Sequence, residues 1–140
     1  MKLKFTASAV IAAALTLTAC ATSPTGRNQV LLYSETQLAQ MGDQAFTGMK
    51  EELKISNKAV QNSYVECVAN AITAQVPATV FNGQWEVVVF DDEQVNAFAL
   101  PGGKIGVYTG LLNVAENQHQ LAAVIGHEVG HVIAEHGNER

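Results

Sequence analysis

Residues 127 to 131 read His127-Glu128-Val129-Gly130-His131, inside the apolar run Leu121 to Ala134. Two histidines four apart on a helix lie on one face, a turn apart, so their imidazoles can grip one metal ion. Glu128 follows the first histidine and projects beside the metal, where a carboxylate can take a proton from metal-activated water. The pattern is that of a zinc-protease helix, with one zinc per chain. The competing reading is a buried helix with two satisfied histidines. It is disfavoured because burying two His and a Glu in an apolar helix is costly without a metal or partners.

A catalytic zinc takes three protein ligands and leaves one position open. The helix supplies two. The metzincin pattern needs a glycine at position 134 and a histidine at 137, where the chain has Ala134 and Gly137. Glu135 is roughly 12 Å from His127 along a straight helix, too far to share its ion. His136 should point away from His131, as a packing or supporting residue. The third ligand is expected in sequence beyond Arg140, with Asp91, Asp92 and Glu116 as upstream alternatives.

Asn117 is a good N-cap for this helix, and Gln120 completes a capping-box spacing. Gly137 fits the left-handed residue that ends a helix. Leu121, Ile125, Val129, Val132 and His136 mark a packing side. Val124, His127, His131 and Glu135 mark the side that presents the ligands. Gly126 and Gly130 allow either close approach of another backbone or close helix packing.

Other elements must hold this helix in place. Ser34-Glu-Thr-Gln37 is a capping box, and Leu38, Met41, Ala45, Met49 and Leu53 follow at helical spacing to about Lys54. A second helix is predicted from about Lys58 to Gln75, with Val60, Tyr64, Cys67, Val68, Ala71 and Ile72 inward and Pro77 beyond its end. Trp85 to Phe90 is β-branched and aromatic, hence a strand. Asp91-Asp92-Glu93 reads as a solvated loop after it rather than an acidic metal site.

Pro101-Gly102 fits the centre of a type II turn between two short strand-like runs, so Asn96 to Thr109 should form a hairpin. An exposed strand edge near the metal could pair with an extended peptide through main-chain hydrogen bonds. Asn96, Ala97 and Phe98 are the candidate residues for that edge.

At the other end, Lys2 and Lys4 precede an apolar stretch from Phe5 to Leu17 that is too short to span a membrane. Leu17-Thr18-Ala19-Cys20 resembles a bacterial lipobox, which implies cleavage before Cys20 and lipidation of its sulfur. Several acyl chains give stable membrane anchoring. Ala21 in place of an aspartate favours the outer membrane by the same resemblance. Ala21 to Asn28 is rich in Ser, Thr, Pro and Gly and reads as a tether. Loss of residues 1–19 would lower Lys plus Arg from 8 to 6 against 13 acids, taking the formal charge from −5 to −7. An acidic chain without a basic run argues against nucleic acid as a partner. Cys67 would then be the remaining thiol, expected buried and inert.

Asn96-Ala-Phe-Ala, Pro101-Gly-Gly, Ile105-Gly-Val-Tyr-Thr-Gly-Leu, and His127-Glu-Val-Gly-His with His136 five residues on together resemble the HtpX/Oma-type zinc metallopeptidases, peptidase family M forty-eight. The bacterial outer-membrane lipoprotein members are the nearest in kind. The resemblance runs from about residue 34 onward. It implies an α+β, gluzincin-like zincin fold with helices packed on a small sheet. It also implies zinc held by His127, His131 and a later glutamate, with Glu128 as general base. The implied organisation is a lipoprotein signal over 1–19, a lipidated tether over 20–33, and the N-terminal part of a peptidase domain over 34–140. The implied work is hydrolysis of peptide bonds in envelope proteins. The alternative is an envelope lipoprotein with a non-enzymatic, chaperone-like or binding role.

Overall fold

In a computed structural model of the protein, residues 20–24 and 26–139 are described. The export signal read over residues 1–19 lies outside them, as does the side chain of Cys20.

The centre of the fold is a three-stranded sheet. Its strands are β3 (Glu86–Phe90), β4 (Ala97–Leu100) and β5 (Lys104–Tyr108), and β1 and β2 lie elsewhere, at Cys20–Thr22 and Asn28–Val30. The central strand β5 runs parallel to β3 and antiparallel to β4. Side chains alternate across a strand, so each strand feeds two cores. Val89, Ala97, Ile105 and Val107 enter one, and Phe90 and Tyr108 enter the other with Phe98 and Leu100 beside them. The expected hairpin is present, with Leu100 opposite Lys104. Gly102 and Gly103 both take positive φ, +83° and +75°, at its tip, where a Cβ would be strained. The ring of Phe98 lies over Gly106, directly across the ladder, in the space a side chain there would fill.

Helix α1 (Glu35–Glu52) covers the aromatic face of the sheet. Its capping box forms as the sequence predicts, with Ser34 Oγ accepting from Gln37 N and Gln37 Oε1 accepting from Ser34 N. Its buried side differs from the expected one. Leu38, Gly42 and Phe46 are buried, while Met41 and Ala45 are exposed. Phe46 is fully enclosed and meets Phe90 and Phe98 edge-on, each at 6.1 Å between ring centres. The pull of that aromatic cluster sets the helix's rotation.

Helices α2 (Ala59–Thr73) and α4 (Gln118–Ile133) pack on the other face, after a short α3 (Thr109–Leu112). The inward residues of α2 are Val65, Val68, Ala69 and Thr73, with Ile72 half-buried. Val60, Tyr64, Cys67 and Ala71 are exposed instead, so the expectation of a buried Cys67 is overturned. The stripe that packs is Val65, Val68, Ala69, Ile72, at spacing i, i+3, i+4, i+7, and it shares only Val68 and Ile72 with the one expected. Helices on both faces of a small mixed sheet make the fold α+β, as expected.

The stretch read as a tether contains short strands. β1 pairs antiparallel with β2, and the residues after β2 lie against the end of α4. Among the described residues no helix is long and apolar enough to cross a membrane.

Candidate metal and peptide site

Helix α4 is fixed to the core by Leu121, Ile125 and Val129, all essentially enclosed. Asn117 caps it as expected, its side chain accepting from His119 N and Gln120 N. The reciprocal bond of the box goes elsewhere, because Gln120 Oε1 accepts from Glu116 N. Rotation about the packed stripe leaves His127 exposed and Glu128 and His131 half-buried.

The two histidines converge. His127 Nε2 and His131 Nε2 are 3.0 Å apart, with the rings nearly perpendicular at 85°. Ligand nitrogens sit roughly 2.0–2.1 Å from a zinc ion. Two nitrogens at this separation can therefore share one ion with little adjustment, and neutral imidazoles are a suitable donor set. Neither glycine of the helix is crowded by backbone. Gly126 faces Ile72 at ordinary contact distance, and Gly130 faces open space.

Among the described residues, no group of three His, Cys, Asp or Glu side chains is close enough to hold one ion. The structure does not bring Asp91, Asp92 or Glu116 together with the two histidines. Asp91 is paired with Lys54 at 2.6 Å, and that ammonium holds its carboxyl below the ordinary range. Asp92 Oδ1 accepts from Gln94 N. Glu116 lies at the far end of α4, beyond the N-cap.

The helix ends earlier than expected. Glu135, not Gly137, takes the left-handed conformation, φ 53° and ψ 31°. A 3-10 turn, His136–Asn138, follows and folds back. His136 is therefore not turned away from His131. Their Nδ1 atoms are 2.6 Å apart. The sequence offered no signal for this, because a non-glycine residue makes the reversal.

Among the described residues the sheet has one open edge. On β3 the outer edge is occupied: Ser56 N donates to Val89 O and Asp91 N donates to Lys54 O. No described strand pairs with the outer side of β4. Tyr108 N donates to Asn96 O, so the Asn96–Tyr108 pair is a hydrogen-bonded one. Antiparallel ladders alternate, which turns the main-chain groups of Phe98 toward β5 and those of Ala97 and Ala99 outward. Of the three expected edge residues, only Ala97 thus presents free main-chain groups, and Ala99 joins it. The Phe98 side chain belongs to the aromatic core.

An open cavity of about 520 Å³ lies beside this edge, with Ala99, Phe81, Trp85, His131, Glu35 and Glu135 among its lining residues. Burial pushes the Glu135 carboxyl above the ordinary range, and the nearby Glu35 adds to the effect.

Residues 56–140 match the model of Peptidase family M48. The chain belongs to this family. It is 40% identical over 106 residues to the mitochondrial metalloendopeptidase OMA1 of Arabidopsis thaliana, covering 73% of this chain and 21% of that protein. Human mitochondrial metalloendopeptidase OMA1 is 30% identical over 127 residues, covering 83% of this chain and 23% of its own length. The beta-barrel assembly-enhancing protease of Escherichia coli is 25% identical over 100 residues, covering 71% and 20%. The chain thus spans between a fifth and a quarter of the length of these family relatives.

Proposed function

We propose that the complete gene product is a zinc-dependent metalloendopeptidase of the bacterial envelope, acting on protein or peptide substrates. The carrying observation is the convergence of His127 Nε2 and His131 Nε2 at 3.0 Å, with Glu128 next in sequence on the same helix. His127 and His131 would hold the ion, and a glutamate following residue 140 would complete the set of three. When bound, zinc supplies Lewis-acid polarisation of the scissile carbonyl and acidifies the attacking water. Glu128 takes the proton from that water and delivers it to the leaving amine. Ala97 and Ala99 hold the peptide extended along β4 through main-chain hydrogen bonds. The cavity beside Ala99 and His131 receives a substrate side chain.

The same reading places the protein on the periplasmic side of the outer membrane through lipidated Cys20, after removal of residues 1–19. Mass spectrometry of the mature protein tests this directly, and an unmodified Cys20 would refute it.

The activity is tested with Glu128→Gln in the complete gene product. The variant is expected to retain one zinc per chain and lose peptide hydrolysis by roughly 10²–10⁴-fold, the usual cost of a missing general base. Near wild-type turnover of an unfolded protein would overturn the assignment.

A further inference from the structure

The end of α4 is secured by the segment that precedes α1. Gln29, in β2, donates from Nε2 to the carbonyl of Ala134, the C-cap residue of α4, at 2.6 Å. Asn138, in the turn that follows, uses both ends of its amide. Its Oδ1 accepts from Leu32 N at 3.0 Å and Tyr33 N at 2.8 Å, and its Nδ2 donates to Tyr33 O at 2.8 Å. Gln29 is 3% exposed and Asn138 1%. Outside them Arg27 and Glu139 form an ion pair. Buried amides are retained where their bonds are met, and an unmet one is costly, so this contact has one well-defined geometry.

Between the two anchor points lies His136. A hydrogen bond between two ring nitrogens needs a proton on one and a lone pair on the other. If His131 offers Nε2 to a metal, its Nδ1 carries the proton. His136 Nδ1 must then accept, and the proton of His136 sits on Nε2. Metal-ligating histidines are held in this way by a partner on the second nitrogen.

We propose that Gln29 and Asn138 are positioning residues. They clamp the segment before α1 onto the end of α4, hold His136 against His131, and so fix the tautomer and orientation of His131. The proposal rests on His131 being a zinc ligand. It adds a role for a glutamine 105 positions from the helix end it holds, and for an asparagine just past that end whose partners, Leu32 and Tyr33, lie 106 and 105 positions back.

The test uses the complete zinc-loaded gene product and two readouts besides turnover. Zinc affinity is measured by competition with a chelator, and ring tautomers by nitrogen-15 NMR of labelled histidine. Asn138→Ala and Gln29→Ala are each expected to weaken zinc binding about 10–100-fold. Both should lose the single His136 tautomer while the far-ultraviolet spectrum is kept. His136→Phe removes the acceptor and is expected to weaken zinc equally. His136→Asn places an amide oxygen near the lost Nδ1 and is expected to recover most of the affinity. Should Asn138→Ala fail to fold, Gln29→Ala still reads the clamp, wild-type affinity there overturning it, and the two His136 variants read the contact it holds. Wild-type affinity in His136→Phe, or in folded Asn138→Ala, would overturn the proposal while leaving the zinc site intact. A wild-type protein that holds no zinc would overturn the site and the clamp together.

Discussion

Gly42 in α1 meets the carbonyl oxygen of Pro101 at the tip of the hairpin, with no room for a Cβ between them. This contact seats the hairpin, and with it the open edge of β4, on the first helix. Gly42→Ala is expected to destabilise the protein by about 1–3 kcal/mol, because a backbone atom must move to admit the methyl. Gly48, in the same helix, has open space where a methyl would stand, with nothing within 4 Å. Gly48→Ala is therefore expected to stabilise by up to about 1 kcal/mol through helix propensity alone. Urea denaturation of the two variants should move the midpoint in opposite directions.

Glu86 carries an acid-sensitive share of the stability. Its carboxylate lies 2.6 Å from Lys50 Nζ on α1 and 2.9 Å from Lys104 Nζ on β5, and these two ammonium groups hold it below its ordinary value of 4.5. A carboxyl with a lowered folded pKa stabilises above the unfolded value and loses that contribution as pH falls through the folded value. Glu86→Gln should therefore be less stable than the parent above 4.5, and the difference should shrink as the solution is acidified below it. Denaturation at a series of pH values measures this. A difference independent of pH would rule out the charge pairing as its source.

Glu135 is a site of strain. It holds φ 53° without being glycine, and its carboxyl is raised by burial first and by Glu35 second. Glu135→Gly relieves both the left-handed backbone and the buried charge. It is expected to stabilise the protein by about 1 kcal/mol, read as a higher melting temperature. Because a raised carboxyl destabilises once ionised, the gain should be larger above the raised value than at or below 4.5.

The open edge gives a kinetic prediction. Ala99 turns its N–H outward, and proline is tolerated on edge strands where that group faces away from the sheet. Ala99→Pro should raise KM for a long peptide several-fold while leaving zinc content unchanged. The shortest cleavable peptides should be affected least. An unchanged KM for long peptides would mean that substrate is not held along β4.

The parts of the fold written in local chemistry were legible from the sequence. The Ser34–Gln37 box, the Pro101-Gly102 turn, the strand ending at Phe90 and the packed stripe Leu121, Ile125, Val129 each follow from a few adjacent residues. Rotation of α2 was harder to read, because Val60, Tyr64, Val68 and Ile72 form a second apolar stripe that overlaps the true one. Only the sheet beneath decides between them. In the candidate site, the meeting of His127 and His131 follows from their spacing. The approach of His136 does not, because it depends on a left-handed glutamate and on Asn138 reaching Tyr33. Contacts across such separations leave no periodic mark in a chain.

The bond from Gln29 to Ala134 closes a loop of 105 residues. Closing so long a loop costs more chain entropy than forming a hairpin or a helix, and folding proceeds most readily through local contacts. The last turn of α4 is therefore expected to settle after the sheet and helices have formed. Its completion must also wait until synthesis has delivered both ends of the loop. The residues around His131 thus acquire their final arrangement late in time, which would keep the proposed hydrolytic centre unassembled while most of the chain is still finding its shape.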